Sequence, residues 1–100
     1  MSAEATRLKD VLSQWIAEQK YQIPVEWDAP AGQVVLGNKK GRTRTRFTAA
    51  DLAAAGGYEK ALSEAKRVVG DWQKLWASKQ TFAKLPPQNK QDLLGYFGKQ

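Results

Sequence analysis

The chain has 100 residues, a formal charge of +6, 42% apolar residues and 26% charged ones. That length allows one domain around a single core, in which about 60–70% of the unfolded surface is buried. It contains no cysteine and no histidine, which excludes disulfides, thiolate nucleophiles, zinc ribbons and the usual general base near neutral pH.

Residues 3–20 read as a helix. Ala5, Leu8, Val11, Leu12, Trp15 and Ile16 recur at helical spacing. Ser2 is placed to cap it, with Glu4 in the first turn. The period then changes from 3.6 to 2. Tyr21, Ile23, Val25 and Trp27 alternate with polar residues and Pro24. This predicts a strand over 21–28, at a sheet edge because of the proline. Asp28-Ala29-Pro30-Ala31-Gly32 is turn chemistry. Strands follow at 33–37 and 42–47, joined by Gly37-Asn38-Lys39-Lys40-Gly41. Such short links favour an antiparallel meander in the order 1-2-3.

Thr48-Ala49-Ala50-Asp51 resembles a capping box and starts a short helix over 48–56. Gly56-Gly57 then breaks the chain. The longest helix is expected over 58–80, where Leu62, Ala65, Val69, Trp72 and Trp76 fall on one stripe. Gly70 inside it suggests close approach of another backbone. Residues 81–85 read as a linker. Pro86-Pro87 opens a last helix over 87–97, with Leu93, Leu94 and Phe97 on its apolar side and Gly98 as its stop. The expected fold is α+β: an N-terminal helix, a small three-stranded antiparallel meander, and two to three C-terminal helices. These helices should cover the sheet face bearing Ile23, Val25, Trp27, Thr45 and Phe47.

No stretch approaches the roughly 18 apolar residues of a membrane span. The N-terminal segment has no secretory pattern and neither end a lipidation signature. The cytoplasm is therefore the expected location, with no membrane partner.

The charge is unevenly distributed. Residues 1–38 carry net −2 and residues 51–73 net −1. Residues 39–50 carry Lys39, Lys40, Arg42, Arg44 and Arg46 with no acid. Residues 74–100 carry Lys74, Lys79, Lys84, Lys90 and Lys99 against Asp92 alone. On a strand, Arg42, Arg44 and Arg46 would share one face at a spacing of about 6.6 Å. A row of forked donors suits phosphate oxygens, and a β-ribbon can enter a DNA major groove. The plainer reading is a charged edge that prevents aggregation. Lys74, Lys79 and Lys84 form a possible secondary basic surface, or simply complement the end of the long helix. The four tryptophans read as core. Tyr21, Tyr58 and Tyr96, at element boundaries, could stack on bases.

No catalytic set is visible. The acids are dispersed, although Glu26 and Asp28 share a strand face that could support a metal or acid–base chemistry. The glycine-bounded turn lacks the phosphate-loop pattern. No enzyme, cofactor or metal is expected.

The stretch Gln33 to Gly70 runs through Arg42-Thr43-Arg44-Thr45-Arg46-Phe47 and into Ala61-Leu62-Ser63-Glu64-Ala65-Lys66. Its order of three strands and a helix is similar to the small sheet domains of AP2-type plant factors. It is also similar to the arm-binding ends of tyrosine recombinases. The resemblance is one of topology, and it implies a sheet that contacts DNA. The first helix and the Pro86-Pro87 segment lie outside it. The expected function is a small non-enzymatic nucleic-acid-binding module, for DNA or RNA, using the hairpin residues Lys39, Lys40, Arg42, Arg44 and Arg46. The alternative is a protein-interaction module with an acidic or nucleic-acid-bound partner, such as a phage- or mobile-element-type modulator or inhibitor of a host nucleic-acid-processing enzyme. A third possibility is an assembly subunit.

Overall fold

The structure is a computed structural model and describes residues 1–98. Eight elements follow in chain order: α1 (Ala3–Glu18), β1 (Val25–Asp28), β2 (Gln33–Gly37), β3 (Arg44–Thr48), α2 (Ala49–Ala53), α3 (Gly57–Ala77), α4 (Lys79–Ala83) and α5 (Pro87–Phe97). The α+β layout and the meander order β1-β2-β3 agree with the sequence pattern.

Helix α1 starts where the Ser2 hydroxyl accepts the Ala5 amide at 3.1 Å. It stops at Glu18, two residues before the predicted end. Lys20 adopts a left-handed φ of 64°. Its amide donates to the Ala17 carbonyl and that of Tyr21 to the Ile16 carbonyl. Two otherwise orphaned carbonyls are thereby satisfied by a Schellman turn, normally built with glycine. Ala5, Leu8, Leu12 and Ile16 form the buried stripe of α1.

The first strand is shorter than the predicted 21–28. Pro24 has no amide to give to a ladder. Just before it, the Gln22 amide donates to the Tyr96 carbonyl on α5 at 2.9 Å. Residues 21–24 thus run against the last helix, and pairing begins at Val25. The register sets Val25 opposite Leu36, and Leu36 opposite Thr45. The next matching row is Trp27, Val34 and Phe47. Ile23, Val25, Val34, Leu36 and Phe47 are buried in the core. Helices α1 and α3 pack on this side. Trp27 and Thr45 are only half-covered there. The opposite face carries Glu26, Val35 and Arg46 in one row and Asp28, Gln33 and Thr48 in the next, as alternation requires.

Thr48 ends β3 and caps α2, accepting the Asp51 amide at 3.1 Å. The long helix α3 ends at Ala77 rather than at 80. Ser78 leaves helical geometry, and its hydroxyl accepts the Thr81 amide at 3.3 Å. The predicted linker 81–85 is therefore largely helical, as α4. Aromatic contacts secure this corner: Trp76 meets Phe82 edge-on at 5.3 Å. Gly70 is exposed with open space beside it, so no backbone approaches it closely.

Pro86-Pro87 open α5 and Gly98 closes it, as read from the sequence. Its buried side differs from the expected one. Leu94 is 53% exposed, whereas Asp92 is 1% exposed beside Leu93, Tyr96 and Phe97. No helix among the described residues is long and apolar enough to cross a membrane.

Candidate nucleic-acid interface

The basic segment 39–46 divides into a loop and a strand. Arg44 and Arg46 lie on β3 and point away from the core, as alternation predicts. Arg42 does not belong to the strand. The predicted start at 42 is corrected to Arg44, because the amides of Arg42 and Thr43 are taken by a carboxylate. Asp92 Oδ2 accepts them at 2.8 and 2.9 Å. Asp92 Oδ1 accepts the Asn38 and Gln88 side-chain amides at 3.0 and 3.1 Å. A buried carboxylate is tolerable only when its lone pairs are used in this way. Burial alone would raise the Asp92 pKa. The four hydrogen bonds, from Thr43, Asn38, Arg42 and Gln88, outweigh it and hold the group below its ordinary value.

Tyr96, one turn further along α5, completes the clasp. Its hydroxyl donates to the Thr43 carbonyl at 2.6 Å and accepts the Asn38 amide at 2.6 Å. Asn89 adds a hydrogen bond to the Thr43 hydroxyl at 3.0 Å. Burial pushes the Tyr96 hydroxyl up to about 12. Two glycines leave room for these groups. A Cβ on Gly41 would sit 2.6 Å from both Asp92 oxygens. One on Gly37, at a φ of 108°, would sit 2.6 Å from the Thr43 carbonyl oxygen and 2.8 Å from the Tyr96 hydroxyl. The clasp residues gave little sign in the sequence. Asp92 stood only as the one acid set against the five lysines of residues 74–100. The available signal was the 88-92-96 spacing, which puts three polar side chains on one line of α5.

Lys40, Arg42, Arg44 and Arg46 are exposed. Among the described residues, ion pairs join Lys39 to Asp28 at 3.3 Å and Arg67 to Glu64 and Asp71. Arg42, Arg44 and Arg46 have no carboxylate partner at ion-pair distance in that set. The Arg44 guanidinium donates to the Lys39 carbonyl, bracing the hairpin across its turn. An open groove of about 460 Å³ crosses this face, with Asp28, Gln33, Val35, Lys39, Arg44 and Arg46 among its lining residues. The acids Glu26 and Asp28 stand on β1, whose backbone runs two strand spacings, about 9.6 Å, from that of β3, and Asp28 reaches into the same groove.

The other candidates fall elsewhere. Lys74 is in the last turn of α3, and Lys79 and Lys84 bracket α4. All three are exposed, and none lines the groove. Lys99 lies outside the described residues. Glu26 and Asp28 share the outer face as expected, but Asp28 turns to Lys39. The tyrosines are not free to stack on bases. Tyr58 and Tyr96 are buried, and Tyr21 meets Phe97 edge-on at 4.9 Å. Comparison of the chain with protein-family models, curated proteins and solved structures returns no match.

Proposed function

We propose that the chain is a non-enzymatic nucleic-acid-binding module that grips phosphates through the β2–β3 hairpin. One observation carries this reading. Three exposed guanidinium groups, on Arg42, Arg44 and Arg46, lack a carboxylate partner among the described residues, on a hairpin whose loop backbone is fixed from beneath by Asp92 and Tyr96. Lys40 adds a fourth cation, while Lys39 is engaged by Asp28. Arginine forks match phosphate oxygens, and a fixed backbone lowers the ordering cost of binding.

The test is the salt dependence of oligonucleotide binding. Four neutralised phosphates give a slope of log K against log salt of about −3.6 on duplex DNA. Replacing Arg42, Arg44 and Arg46 together with alanine should cut the slope to about −1, with the folded circular dichroism spectrum retained. A flat salt response in the parent chain rejects the reading and points to an acidic protein partner.

A further inference from the structure

The chemistry of the hairpin face narrows its partner further. All ten aromatic side chains of the chain are committed to the core or pack against it. Trp27 and Phe47, the aromatic residues of the sheet strands, stand on the core side of their strands, opposite to Arg44 and Arg46. The outer face presents guanidinium, ammonium, amide and carboxylate groups around Val35, which is 4% exposed. Single-stranded nucleic acid is held chiefly by stacking bases on aromatic platforms along a basic groove. This face offers charge without a platform. Charge alone favours the denser polyanion: duplex DNA carries one phosphate per about 1.7 Å of axis, and each phosphate neutralised contributes more to its salt slope than on a single strand.

The rigidity of the loop points the same way. Asp92 and Tyr96 hold the backbone at Asn38, Arg42 and Thr43 through hydrogen bonds of 2.6–2.9 Å, and Asp92 and Asn89 hold the Asn38 and Thr43 side chains at 3.0 Å. Cations carried on a fixed backbone suit a regular phosphate lattice, whereas a flexible strand must be ordered at its own cost. With Asp28 paired to Lys39 and Glu26 on β1, the uncompensated cations of the face are those of β3 and the loop. Resting on the reading of the hairpin as a phosphate-binding surface, we infer that its partner is a double helix, gripped along its phosphate ridge, and not a single strand.

Fluorescence anisotropy of the full chain tests this with three labelled probes of equal phosphate number: duplex DNA, duplex RNA and oligo-dT. At about 50 mM salt the tighter duplex should bind at least about tenfold more strongly than oligo-dT. Tryptophan emission should stay constant through the titration, since no tryptophan lies on the face. Which duplex binds better identifies the helix, and either result supports the inference. Equal or tighter binding of oligo-dT, or quenching of tryptophan by bound bases, overturns it while leaving the phosphate-binding reading intact. Absence of binding to all three probes defeats that underlying reading and this inference together.

Discussion

The Asp92 carboxylate accepts the Thr43 amide at 2.9 Å, fastening α5 to the loop that leads into β3. Removing that charge while keeping the shape should be costly. Asp92→Asn turns one acceptor oxygen into a donor facing other donors. We expect a loss of about 3 kcal/mol in denaturant unfolding. The pH profile gives the sign independently. A carboxyl held below its unfolded value contributes stability above that value, and loses it as pH falls through the folded one. The parent chain should therefore weaken in acid below about pH 4, and Asp92→Asn should flatten that limb.

Tyr96→Phe removes the hydroxyl that joins Asn38 to Thr43. The buried amide and carbonyl left behind should cost about 2 kcal/mol. Here the sign of the pH effect reverses. The folded value of about 12 lies above the ordinary 10, so the contribution is full below pH 10 and fades as pH rises toward 12. Ultraviolet titration should show one tyrosine equivalent ionising near the upper value in the parent and none there in the variant.

Two glycine substitutions should move stability in opposite directions. Gly41→Ala drives a methyl group to 2.6 Å from both Asp92 oxygens and must displace the carboxylate. A loss of about 2 kcal/mol or more is expected. Gly70→Ala adds a methyl group into open space on an exposed helix surface. It should gain about 0.5–1 kcal/mol from helix propensity. Thermal melts of the two variants decide both.

Lys20→Gly should also stabilise. Lys20 occupies the left-handed position of the turn after α1, where a side chain costs about 1 kcal/mol relative to glycine. A rise in melting temperature of several degrees, about 4–8 °C per kcal/mol for a domain of this size, would be measured by calorimetry.

If the hairpin binds phosphates as proposed, Asp28 should weaken it, because its carboxylate occupies Lys39 at 3.3 Å. Asp28→Asn should release that ammonium. The salt slope on duplex DNA should steepen by about 0.9, and affinity at about 50 mM salt should rise about tenfold. As the ion pair is at the surface, stability should change by less than about 1 kcal/mol.

Much of this architecture can be read directly from residue order. Alternation set the strand faces, so Arg44 and Arg46 fell outside and Phe47 inside. Ser2, Thr48 and Pro86-Pro87 marked three helix starts by local chemistry. What stayed hidden depended on partners far apart in sequence. Asp92 and Arg42 are separated by fifty residues, and no local rule ties a lone helical acid to two distant loop amides. That bond removed Arg42 from the strand and left Arg44 and Arg46 as the aligned pair. Similarly, the Gln22 amide was claimed by α5, which shortened β1. The five-residue α4 was too short to show a period, and its capping serine, Ser78, fell inside the helix expected over 58–80.

The long separation between the loop and its clasp imposes an order on biosynthesis. Residues 38–43 are synthesised well before α5. At about 5–20 residues per second, the fifty intervening residues take some 3–10 seconds. During that interval β1 and β2 can already pair, while the Arg42 and Thr43 amides are hydrated and the Asn38–Thr43 crossing is unset. The charged tip of the ribbon takes its final shape last, on the arrival of a helix that carries none of the hairpin's cations.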